Sequence, residues 1–327
     1  MANYDEIKSF VEAHYDLAVE SITPITQKSM KIRANNHDYL LKVASGDDEF
    51  IMKQLFAYKA LSHNVLPIYR TKANEHCVFW RDHFFYLSDY VQTIPLPLEQ
   101  QIHYYIELLE KLHKETRLEV DVSDDELQRI YDKDYKRLQD SYNCLQKNIE
   151  KYELQRDRSP YEWYFMMIYP MLYTMLHHAH DELKKFYDLI KKEKKLPISL
   201  IHGNINVANL LVTEKSTYLI NFERSMFSIS SLDMYYFLEN YHQVPGLHSI
   251  ILDYVKNEKA ASLRHYFFFR SLCIDLEELN ETLQDHSLIN IALLNECIAP
   301  HLMALQVYDQ VNKATTTKQV NSQGSST

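Results

Sequence analysis

Apolar positions recur in short alternating runs along the first hundred residues and at helical spacing thereafter. Tyr4 to Val19 places Ile7, Phe10, Val11, His14 and Tyr15 on one side, which predicts an amphipathic helix. Ile22-Thr23-Pro24-Ile25, Ser29-Met30-Lys31-Ile32-Arg33 and Tyr39-Leu40-Leu41-Lys42-Val43 read as three antiparallel strands. A turn at Asn35-Asn36-His37-Asp38 joins the last two. Asp47 to Leu61 is helical, with Phe50, Leu55, Tyr58 and Leu61 among its apolar positions. Cys77 to Trp80 and Phe84 to Leu87 form a hairpin around Arg81-Asp82-His83, and Ser88-Asp89-Tyr90-Val91 leads into a linker at Thr93 to Pro97.

From Leu98 the period is helical, first over Ile102 to His113. Ser123-Asp124-Asp125-Glu126 is a capping box that opens a long charged helix. Ser159-Pro160-Tyr161-Glu162 is a second one, with proline at the first helical position. Leu247 to Ile298 is again helical. Ala314 to Thr327 holds one large apolar residue, Val320, and is expected to be disordered because it cannot offset its ordering entropy.

One stretch breaks the helical pattern. Leu200-Ile201 ends at His202-Gly203; Asn204, Asn206 and Asn209 follow; then come Leu210-Leu211-Val212, a turn at Glu214 to Thr217, and Tyr218-Leu219-Ile220 stopped by Asn221. This predicts a loop at the edge of a small sheet, followed by a hairpin that carries Asn221 back beside Asn204 and Asn209.

Composition narrows the function classes. The chain has 327 residues with 46% hydrophobic content, enough for a large core and one or two domains. The net charge of -10 argues against a nucleic-acid partner. No run approaches 18 uninterrupted apolar residues and the acidic N-terminus lacks an apolar signal core, so neither a membrane span nor secretion is expected. Cys77, Cys144, Cys273 and Cys297 have no metal spacing and read as reduced, mostly buried thiols. His177, His178 and His180 lack the four-residue interval of a helical metal pair and read as a solvated face. Glycine is scarce, at 4 residues (Gly46, Gly203, Gly246, Gly324), against about 23 at average usage. None lies where a phosphate-cradling loop would need backbone freedom.

His202-Gly203-Asn204, four residues, Asn209, and later Ile220-Asn221-Phe222-Glu223 resemble the HGD-x4-N and I-D-F/W-E frame of the aminoglycoside phosphotransferase and choline kinase group. The resemblance implies a two-lobed, protein-kinase-like α+β fold. Residues 1–91 would be a small antiparallel β N-lobe, residues 92–313 a larger, mainly helical C-lobe carrying the catalytic-loop-like segment 200–223, and residues 314–327 a tail. It further implies that Lys42 is the strand lysine of the nucleotide site and Glu49 its partner, and that Asp89, Tyr90 and Val91 form the adenine hinge. Asn204 falls at the catalytic aspartate, Asn209 and Asn221 at the metal ligands, and Glu223 beside them. The corresponding hairpin, Thr26-Gln27-Lys28-Ser29, has no glycine. Asp233 falls at a loop-bracing aspartate.

Both family aspartates are asparagine here. Asn204 can accept a hydrogen bond but is no base. Asn221 lacks the charge that a hard magnesium ion favours. Losing one unit charge at about 4 Å removes on the order of 4 kcal/mol per unit of cation charge at an effective dielectric near 20. The expectation is therefore an impaired catalyst, with ATP and Mg²⁺ as cofactors only if the site is active. The alternatives are an active small-molecule phosphotransferase using Asn209 and Glu223 for metal, and a nucleotide sensor without turnover. The glycine-poor N-lobe and the long helical insertion also resemble the endospore coat-associated branch of the CotS and YutH type. That likeness implies cytoplasmic synthesis, deposition on the spore, and spore coat proteins as partners.

Overall fold

The computed structural model describes residues 4–44, 49–276 and 288–323, with side chains through Lys313. The chain divides into two compact units, Met1–Arg117 with Ser199–Ser228, and Leu118–Ile198 with Ile229–Thr327. The expected break after Val91 thus falls inside the first unit. The HGN segment returns to that unit instead of staying with the helices that flank it in sequence.

In the first unit, β1 (Val19–Thr26), β2 (Ser29–Ala34), β3 (His37–Ala44), β4 (Val78–Trp80) and β5 (His83–Asp89) form one antiparallel sheet in the order β1-β2-β3-β5-β4. Two tight turns set its registers. Asn35 and Asn36 both take φ near +50 to +60°, as do Arg81 and Asp82. Positive φ at both central residues gives a turn whose twist matches that of the flanking strands. Period-two alternation then sends neighbours on β3 to opposite faces. Leu41 joins Phe85, Leu87 and Ile32 under Ile7, Phe10 and Val11 of α1 (Tyr4–His14). Lys42 lies opposite Tyr86 of β5, whose ring packs with Phe50 and Ile51 of α2 (Glu49–Leu61). The unit also holds α3 (Leu98–Glu115) and the short hairpin β8–β9 (Leu210–Val212, Thr217–Leu219). There the end of β7 (Lys195–Ile201) pairs with β10 (Met226–Ser228).

The second unit is mainly helical. β6 (Leu118–Asp121) pairs with the start of β7. The helices α4 (Asp124–Leu154) and α5 (Pro160–Glu193) start where the capping boxes place them. At each start the serine hydroxyl accepts from the glutamate N–H at 3.3 Å and the glutamate carboxylate accepts from the serine N–H. They are followed by α6 (Ser231–Tyr241), α7 (Leu247–Asn257), α8 (Ala261–Leu272) and α9 (Leu288–Gln323). Helical backbone runs to Gln323, past Ala314, where a disordered tail was expected; residues 324–327 lie outside the described ones. Leu288–Lys313 is long and apolar enough to cross a membrane by length and composition alone, which a search for uninterrupted apolar runs passes over. Such a helix is weak grounds for a membrane span.

One smaller expectation changes. Of the four cysteines only Cys273 is buried, and Cys297 is exposed. His177 approaches Asp181 at 3.8 Å on an exposed face, and no cluster of three metal-type ligands occurs among the described residues.

Candidate functional site

The HGN segment is shaped by His202, which is fully buried. Its Nε2 lies 2.9 Å from the carbonyl of Ile220. A carbonyl only accepts, so Nε2 carries a proton; Nδ1 lies 3.4 Å from the Tyr105 hydroxyl, which also reaches the Asn204 carbonyl at 3.3 Å. The Ser225 hydroxyl donates to the His202 carbonyl, and the Ile220 N–H donates to the carbonyl of Asn209. These bonds tie the loop to the β9 exit. Gly203 has φ +69°, and a Cβ there would stand 2.5 Å from the Arg224 carbonyl oxygen. Glycine is required at 203 by both conformation and space.

The three asparagines and Lys42 form a polarised ladder. The Lys42 ammonium donates to Asn221 Oδ1. Lysine has no acceptor, so the orientation of Asn221 follows: its oxygen faces Lys42 and its amide nitrogen faces away. That nitrogen donates to Asn209 Oδ1 at 2.6 Å, and Asn209 Nδ2 donates to the Asn204 carbonyl at 2.8 Å. Asn221 sits at φ +69°, a left-handed conformation that asparagine tolerates better than most residues. An aspartate at 221 could accept from Lys42 but could not donate to Asn209. Asn209 would then have to turn over and set its oxygen against the Asn204 carbonyl. The amide is therefore built into the hydrogen bonding, besides being the loss of a carboxylate. The Asn204 side chain makes no hydrogen bond among the described residues.

The partner of Lys42 differs from expectation. Its ion-pair partner is Glu223, at 3.9 Å, with both side chains largely buried. Glu49 is exposed and lies 3.6 Å from Lys53 one helical turn on. An (i, i+4) pair on one helix needs no tertiary alignment, so it forms readily. Burial holds the Lys42 pKa below the usual lysine value; Glu223 opposes the shift, and the like charge of Lys28 adds to it. Lys28, at the tip of the β1–β2 hairpin, was not singled out in the sequence; its signal is a lysine where the related hairpin carries glycine.

Asp89, Tyr90 and the hairpin tip of the expected nucleotide site are engaged. The Lys28 N–H lies 3.2 Å from Thr26 Oγ1, which also contacts Ser29 Oγ at 2.7 Å. The hairpin tip thus directs that N–H at its own side chain. The Asp89 carboxylate accepts from the Tyr69 hydroxyl at 2.6 Å and contacts His37 at 3.0 Å. The Tyr90 N–H donates to the Asp38 carbonyl, which uses one of the backbone groups expected to meet adenine. Asp233, in α6, is fully buried.

These residues do not fit a magnesium ion. The oxygens of Asn209 and Asn221 that would ligate it already accept hydrogen bonds, one of them from an ammonium. Glu223 is the single carboxylate of the cluster, and it is paired with Lys42.

No family model and no curated protein matches the sequence. Solved structures do match in fold. An aminoglycoside phosphotransferase from Alicyclobacillus acidocaldarius is similar at TM-score 0.61 and 15% identity, over 93% of this chain and 96% of that one. The AMP-bound spectinomycin phosphotransferase APH(9)-Ia is similar at TM-score 0.53 and 14% identity, over 94% and 99%. A microcompartment-associated aminopropanol kinase is similar at 0.50 and 14%, over 94% and 98%. The chain has the kinase-like α+β fold of these phosphotransferases, with an antiparallel N-terminal sheet and a larger helical part.

Proposed function

We propose that this chain is a catalytically impaired kinase-like protein whose role is binding or structural. The observation that carries this reading is the ladder from Lys42 through Asn221 and Asn209 to the Asn204 carbonyl. Phosphoryl transfer needs a hydroxyl-orienting carboxylate and charge neutralisation by metal. Here both carboxylate positions are amides, and the Lys42 ammonium bonds the second of them, Asn221. A positive charge supplied by the chain itself takes over the cation's place against Asn221. The endospore coat is our proposed setting, with coat proteins as partners. It rests on the sequence resemblance and on the scarcity of glycine, and is tested by following a fluorescent fusion through sporulation.

Calorimetry with the full chain tests the site reading. The expected result is weak or undetectable ATP binding, unchanged by Mg²⁺, and no ATP hydrolysis. Micromolar affinity that requires Mg²⁺ would favour the second reading, an active phosphotransferase using Glu223.

A further inference from the structure

The outer face of α2 carries a stripe that the fold leaves uncovered. Glu49, Met52, Phe56 and Lys59 follow one another at helical spacing, which sets them on one face. All four are exposed, Met52 at 67% and Phe56 at 39%, while Gln54, Ala57 and Leu61 of the same helix are buried. The Phe56 ring meets the Phe227 ring of β10 edge to face, with 5.3 Å between centroids. Phe227 and its neighbour Met226 are exposed as well. Single exposed apolar residues are ordinary, but a group in mutual contact marks an interaction surface.

The order of residue types along the stripe says what fits it. From the N-terminal to the C-terminal end of α2 it reads acid, apolar, apolar, base. An antiparallel copy of the same helix reads base, apolar, apolar, acid. Glu49 and Lys59 are equally far from Gln54 in sequence, and so are Met52 and Phe56. One register therefore sets Met52 against Phe56 of the second copy and Glu49 against Lys59 of the second copy, twice over by symmetry. Apolar meets apolar and each charge meets its opposite. Within one copy, Glu49 reaches Lys53 along its own helix, and Lys59 has no ion pair among the described residues. The chain's net charge of -10 opposes self-association through most surfaces. This stripe holds one acid and one base, so approach along it avoids like-charge contact.

We propose that the chain self-associates as a two-fold dimer by antiparallel packing of α2 on α2, with Phe227 and Met226 of β10 extending the apolar contact. This surface is independent of the amide ladder. Two 13-residue helices with a flanking strand make a small interface, below the roughly 800 Å² per partner of standard ones, so a dissociation constant of about 1–50 µM is expected.

The test is sedimentation velocity of the full-length chain from about 0.5 to 200 µM, in about 0.05 M salt so that charge pairs are little screened. The expected result is a concentration-dependent passage from the 38.9 kDa monomer to twice that mass. Phe56→Glu should abolish it over this range. Glu49→Lys and Lys59→Glu each reverse one member of both symmetric pairs and should weaken association about tenfold. The two combined rebuild each pair with its signs exchanged and should return it to within about twofold of wild type. Circular dichroism reports whether each variant folds, and Met52→Glu replaces Phe56→Glu if that variant does not. A chain that stays monomeric throughout overturns the proposal. So does a dimer that the glutamate variant leaves intact, single reversals without effect, or a combined variant that fails to recover their loss.

Discussion

Two buried charges in this protein have been treated in opposite ways. In the second unit, the Glu182 carboxylate is 3% exposed and accepts from three groups: His265 at 2.6 Å, Lys185 at 2.6 Å and the Tyr308 hydroxyl at 3.3 Å. Burial pushes its pKa up, but these bonds outweigh burial and hold it below the usual carboxylate range. In the first unit, Lys42 is 15% exposed and has one amide oxygen and a carboxylate 3.9 Å away. There burial wins and its pKa falls. A charge with enough partners becomes part of the scaffold. A charge with too few keeps part of its desolvation cost and can still be drawn to a better partner.

Removing the well-satisfied charge should cost most. Glu182→Ala leaves His265, Lys185 and Tyr308 without their acceptor and should destabilise the chain by about 3–5 kcal/mol, read from urea unfolding at pH 7. The sign with pH follows from the depressed pKa. Glu182 contributes fully above its unfolded value and loses that contribution as pH falls through the folded one. The stability gap between wild type and Glu182→Gln should therefore shrink on acidification. A gap that stays constant down the acid limb would show that Glu182 is not the charged anchor described.

Lys42→Met should cost less, below about 2 kcal/mol. The lost hydrogen bond to Asn221 is offset by relief of a desolvated ammonium. The pH dependence has the same sign as that of Glu182 but falls in the alkaline window of a lysine, because both folded pKa values lie below the unfolded ones. Between the depressed folded pKa and the unfolded one, the unfolded chain binds more protons, so this residue's contribution rises with pH. The difference between wild type and Lys42→Met, measured by denaturant unfolding in steps toward pH 10, should move in favour of wild type. Movement the other way would mean that Lys42 is better satisfied than its contacts imply.

The smallest stability effect should come from Asn221→Asp, within about 1 kcal/mol. A stronger bond to Lys42 is gained and the bond to Asn209 is lost. Its consequence lies in metal response. Asn204→Asp combined with Asn221→Asp should be stabilised by Mg²⁺ in a thermal melt, while wild type should not. Turnover should stay low, because Thr26 to Ser29 still cannot wrap phosphates. Equal Mg²⁺ stabilisation of both proteins would show that the amide ladder is not what limits metal binding.

Much of this architecture is local and therefore written in the chain. Asn35-Asn36 marks a hairpin because asparagine accepts positive φ, and Ser123 and Ser159 mark helix starts because a hydroxyl three residues before a glutamate closes a capping box. The HGN frame announced its loop, its hairpin and the return of Asn221 to Asn209, since each step depends on neighbours in sequence. What the sequence left open depends on side chains meeting from distant elements. Glu49 and Glu223 were both available to Lys42. Strand alternation placed the lysine on a given face, but only packing decided that the carboxylate after Asn221 reaches it while Glu49 settles on Lys53. The direction of the asparagine ladder required a donor with no acceptor at one end, a constraint that exists only once β3 and the β9 exit converge. A cavity around Arg270 is assembled from four helices far apart in the sequence, from Arg137 of α4 to His301 of α9. No sequence period marks it, because a void is defined by what tertiary packing fails to fill.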